Sequence, residues 1–192
     1  TDGAFIDSDT YGSGKAGTLS LVAREKISLT GPGYYTGGST YTLESVVGTN
    51  YATGQGGSIF LNAPLIELKD GAQINAGTKY TGTVTNNEGK GGTIGIIADT
   101  LILEDDSSIS GSTKGTAQGG DVVIGDIAWL TKEIEPSAFF TNFLNKARAN
   151  GVSQTTNLIL DDSSSISAES KYTGANAGSA GNLAIKTADS IK

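Results

Sequence analysis

The sequence predicts an all-β fold, a parallel β-helix of about five three-stranded coils with one inserted helical segment. Three observations predict it. Short runs alternate apolar and polar residues with period two, the pattern of strands with one buried face: Ile94 and Ile96, then Leu101 and Leu103, then Ile109. Asp, Ser and Gly separate the runs, as turns require. The pattern also recurs, which a unit unable to bury its own inner face demands.

The recurrence is anchored on the glycine before each first strand: Gly17, Gly57, Gly92, Gly120 and Gly181. Two and four residues on stand Leu19 and Leu21, Ile59 and Leu61, Ile94 and Ile96, Val122 and Ile124, Leu183 and Ile185, all aliphatic. Second strands follow with Ile27 and Leu29, Ile66 and Leu68, Leu101 and Leu103, Leu158 and Leu160, and Ile191. Third strands carry Ile6, Val46, Ile74, Ile109 and Ile166. The anchors are 40, 35, 28 and 61 residues apart, so loops are inserted between strands that keep their pattern. Insertions are expected after Thr30 and over about residues 81–89. These columns are expected to point inward, and Ser20, Asn62, Glu67 and Glu104 outward. The first and last residues fall within coils, so residues 1–192 read as a single unit cut from a longer chain.

Composition agrees. The 28 glycines are about twice the usual share and are expected at corners needing positive φ. With no Cys there is no disulfide framework or thiolate site, and with no His the usual general base and metal ligand are missing. A net charge of −7 disfavours nucleic acid and anionic membrane surfaces as partners. No apolar run approaches the roughly 20 residues of a membrane span, so no membrane insertion is expected.

The alternation stops over residues 127–156. Pro136 to Gly151 reads as a helix, with Pro in its first turn, Lys146 and Arg148 in its last, and Gly151 at its C-cap. Phe139 or Phe140, with Phe143, Leu144 and Ala147, forms a stripe at helical spacing. The stripe either packs on the flank of the strands or docks a partner through Phe139, Phe140, Phe143 and Leu144. The packed helix is the expected arrangement, with its polar face (Asn142, Asn145, Lys146, Arg148) available to a partner.

The blocks Gly56-Gly57-Ser58-Ile59-Phe60-Leu61-Asn62-Ala63, Asp70-Gly71-Ala72-Gln73-Ile74-Asn75-Ala76 and Gly91-Gly92-Thr93-Ile94-Gly95-Ile96 resemble the repeats of filamentous haemagglutinin-like exoproteins. Asp162 to Ala168 and Gly181 to Ile185 are similar to the same blocks. The resemblance covers nearly all the chain except residues 127–156 and the insertion after Thr30. It implies a right-handed β-helix in a large bacterial surface or secreted protein, exported by the two-partner (type V) route and often adhesive. The expected location is extracellular or on the outer cell surface.

Two sets of side chains are candidates for binding. Asp70, Asp105 and Asp161 are read as one column beyond Leu68, Leu103 and Leu160, with Asp106 and Asp162 in the next, opposite Gly71. Stacked strands lie about 4.8 Å apart, so such carboxylates could hold calcium, the one cofactor the sequence suggests, or could simply serve their own turns. Tyr11, Tyr51, Tyr80 and Tyr172 recur near the third-strand exits, the last two in the phrases Lys79-Tyr80-Thr81-Gly82 and Lys171-Tyr172-Thr173-Gly174. Their rings either stack to cover a corner or offer a flat strip to a sugar.

These features favour a non-enzymatic structural or adhesive region, with no catalytic residues assigned. Its expected partners are other copies or neighbouring coils end to end, and cell-surface or matrix glycans or proteins. The other readings are a polysaccharide-degrading β-helix enzyme and a phage or appendage fibre. An enzyme of that class needs converging carboxylates beside Arg or Lys, yet neither Arg24 nor Arg148 falls by the Asp column.

Overall fold

The structure, a computed structural model, describes residues 6–7, 16–31, 42–44, 47–48, 56–79, 90–113, 118–170 and 178–192. In chain order the strands are β1 (Ile6–Asp7), β2 (Thr18–Val22), β3 (Lys26–Thr30), β4 (Thr42–Glu44), β5 (Val47–Gly48), β6 (Ser58–Lys69), β7 (Gln73–Asn75), β8 (Thr78–Lys79), β9 (Thr93–Leu103), β10 (Ser108–Ser110) and β11 (Asp121–Ile124). Helices α1 (Ile127–Glu133) and α2 (Ala138–Asn150) follow, then β12 (Asn157–Leu160), β13 (Ser165–Ser167), β14 (Leu183–Ile185) and β15 (Ser190–Ile191).

The expected class, an all-β right-handed parallel β-helix of about five three-stranded coils, is corrected: the chain is a mixed fold. Among the described residues it has an eight-stranded parallel sheet, a five-stranded parallel sheet (β1-β4-β7-β10-β13), the pair β5-β8, and two helices. The chain does not divide into three short strands per repeat. First and second strands merge into single strands of 12 residues in β6 and 11 in β9, whose mutual pairing resumes past Pro64 and Asp99 without a turn. Residues 125–156 leave the large sheet between β11 and β12, where β9 has only Ile97, Ala98 and Asp99, and there they build the helices.

All pairings are parallel, and they align the aliphatic positions. Leu19, Ile59, Ile94, Val122 and Leu183 form one column, and Ile27, Ile66, Leu101, Leu158 and Ile191 another. Ile74, Ile109 and Ile166 form a third. The central members bury completely in one core. On the β4 side the partner of Ile74 is Leu43, not the expected Val46, which lies outside the described residues. Both insertion loops lie largely or wholly outside them too.

The anchor glycines serve a different purpose from the one expected. A Cβ on Gly92 would strike the carbonyl oxygen of Gly57, and one on Gly120 that of Gly92. Close approach of stacked backbones, rather than positive φ, excludes side chains there. Positive φ falls instead at the turns after β6, β9 and β12, on Asp70-Gly71, Asp105-Asp106 and Asp162-Ser163, and on Gly31 and Gly151.

Candidate functional site

The outer face of the large sheet is where the chain departs from its repeats. Ser20, Phe60, Gly95, Val123 and Ala184 are in register across it. Phe60, Ile97 and Val123 cannot face water without cost, and the helices cover them: Leu130, Ile134, Phe140, Phe143, Leu144, Ala147 and Val152 complete a second core. Phe60 lies 5.1 Å from the Phe140 ring centroid and 5.3 Å from that of Phe143. Such pairs add about 0.5–1.5 kcal/mol each beyond area burial. Gly95 leaves the space, since a Cβ there would meet the rings of Phe60 and the tip of Ile134.

Of the four residues expected to dock a partner, Phe140, Phe143 and Leu144 are therefore consumed by the protein's own core; Phe139 is 44% exposed. The helix begins later than expected. Pro136 precedes the N-cap Ser137, whose Oγ accepts from Phe140 N at 3.0 Å, while Gly151 caps the other end with φ of 82°. Asn62, expected outward, points away from the inner core and is wholly buried under α2. Its amide donates to the carbonyls of Ile97 and Val152, and its Oδ1 accepts from Asn150 at 2.9 Å. Asn150 also donates to the Ala23 carbonyl at 2.8 Å, so a satisfied polar network fixes the helix end to two strands.

Helix α1 was not legible as a helix. Its N-cap, Asp126, accepts from Trp129 N at 2.6 Å and pairs with Lys186 Nζ at 2.6 Å. The Lys186 hydrogen bond foremost, then the Trp129 N–H, holds this carboxyl below the ordinary carboxylate range despite partial burial. The unfolded chain thus binds this proton more readily. The stabilisation is present above the ordinary Asp pKa and is lost as pH falls through and below it. Asp126→Ala should cost about 0.5–2 kcal/mol at pH 7. Asp126→Asn should retain part of the cap and flatten the acid side of the profile; thermal melts from pH 7 to 3 check both.

The aspartates form turns. Asp70-Gly71, Asp105-Asp106 and Asp162-Ser163 have positive φ at both positions. The flanking bonds Ala72 N to Lys69 O, Ser107 N to Glu104 O and Ser164 N to Asp161 O close each loop, as in type I′ turns. Asp tolerates this left-handed backbone better than most residues. The expected column Asp70, Asp105, Asp161 is corrected: Asp162 stands in line with Asp70 and Asp105, and Asp161 with Glu104. Asp161 Oδ1 instead accepts from Asp162 N at 2.9 Å. Repulsion from Asp161 first, then burial and Asp105, raises the Asp162 pKa. Among the described residues, no three such carboxylates converge to hold a metal ion. Tyr11, Tyr51, Tyr80 and Tyr172 lie outside the described residues.

No described helix is long and apolar enough to cross a membrane. Comparison of the chain with family models, curated proteins and solved structures finds no match in any of the three.

Proposed function

We propose that this chain is a non-enzymatic structural and adhesive segment of a large bacterial cell-surface or secreted filamentous protein of the haemagglutinin-like kind. It acts outside the cell. One observation supports the reading: strands stack in parallel register with their aliphatic positions in line, and at one edge of the described sheet Leu183 is 46% and Ile191 58% exposed. A strand edge of this kind adds further strands through its free N–H and C=O groups. Its partners are other copies or further repeats laid end to end, and surface glycans or proteins are the adhesive targets.

Sedimentation velocity across a wide concentration range tests the assembly. Association that rises with concentration, and that Leu183→Lys with Ile191→Lys abolishes, is expected. A strict monomer throughout contradicts it. Clear release of reducing ends or unsaturated sugars from acidic polysaccharides would overturn the non-enzymatic reading.

A further inference from the structure

We propose that the groove between β2 and the C-terminal half of α2 binds a carboxylate-bearing sugar. The site names a ligand class for the adhesive reading, on which its biological role rests. The groove measures about 500 Å³, a volume suited to one or two sugar rings. Ser20, Leu21 and Val22 form one wall, and Lys146, Ala149 and Asn150 the other.

Arg24 reaches the groove because the β2–β3 link holds one residue more than the matching Ala63-Pro64 of β6. Its guanidinium and the Lys146 ammonium are both exposed, and neither pairs with a carboxylate among the described residues. Two unneutralised cations line one groove of a chain whose net charge is −7, which favours an anion there. A guanidinium fork matches a carboxylate. Val22 and Ala149 offer an apolar floor to the C–H face of a ring, and Ser20 and Asn150 flank it. The bonds from Asn150 to Ala23 and Asn62 hold the helix wall in place. This short, mixed wall favours a sugar over an acidic peptide, which needs a longer trough.

Isothermal titration of the full chain, at a concentration where sedimentation shows monomer, uses three probes: tetragalacturonate, its carboxyl-reduced form and hexa-aspartate. Working on the monomer separates this test from the assembly reading. Tetragalacturonate alone should bind, more weakly as salt rises. Arg24→Ala and Lys146→Ala should each weaken it about tenfold without changing Tm. Lys132→Ala, which does not line the groove, should leave it unchanged. Equal binding of the reduced sugar, binding of hexa-aspartate in its place, no binding of tetragalacturonate, wild-type affinity in both groove variants, or an equal loss in Lys132→Ala would overturn the proposal.

Discussion

Leu103→Asp is expected to abolish the cooperative thermal transition at neutral pH. Leu103 is wholly buried and stands between Leu68 and Leu160 in the inner core. Truncating such a residue to Ala costs about 2–5 kcal/mol, and an isolated carboxylate in the same place costs several more. Total stability of a domain is only about 5–15 kcal/mol, so the Asp variant exhausts it. Leu103→Ala should keep its transition, with Tm lowered by roughly 5–15 °C. A Tm unchanged by Leu103→Asp would place that side chain outside the core and undo the register.

Phe143→Ala is expected to cost about 3–5 kcal/mol, the usual range for a buried aromatic. Phe143 is 1% exposed and stacks on Phe60. Phe139→Ala, at a side chain 44% exposed and outside the second core, should cost much less, about 0.5 kcal/mol. Removing residues 125–156 and restoring a three-residue link like Ile97-Ala98-Asp99 should uncover Phe60, Ile97 and Val123, lower stability and raise binding of a hydrophobic dye. Chemical denaturation with dye titration reads all three, and unchanged stability on deletion would mean that the helices do not pack on the sheet.

The positions that pair were legible because alternation and glycine spacing report which side chains face a common core, and Ile59, Ile94 and Val122 do align. The fold class was not. Period two says that a segment is extended but not where one strand becomes the next, so what reads as two strands is one continuous strand in β6 and in β9. Counting failed across the long insertion: Leu43 and Val46 are both aliphatic, and no spacing rule chooses between them once residues are added. It failed again at Asp161 and Asp162, where adjacent identical residues hide a one-residue slip.

The second core left a signal that a single-faced reading passes over. Phe60, Ile97 and Val123 are apolar residues in the outward phase of the alternation, and such residues mark a strand buried on both faces. Helix α1 spans only seven residues, too few for a periodic stripe, and its one local mark was Asp126 as N-cap. Asn62 was placed outward correctly, but outward here means beneath α2. The groove of Arg24 and Lys146 was invisible in sequence because its two cations are far apart along the chain.

The central claim is that one parallel sheet has two buried faces, the outer one closed by the helical excursion. A double-mutant cycle between Phe60 and Phe143 tests it most directly. Phe60→Ala, Phe143→Ala and the double variant, compared by denaturant unfolding, should show a coupling of about 0.5–1.5 kcal/mol. Additive losses, with no coupling between the two rings, would contradict the packing of α2 against β6.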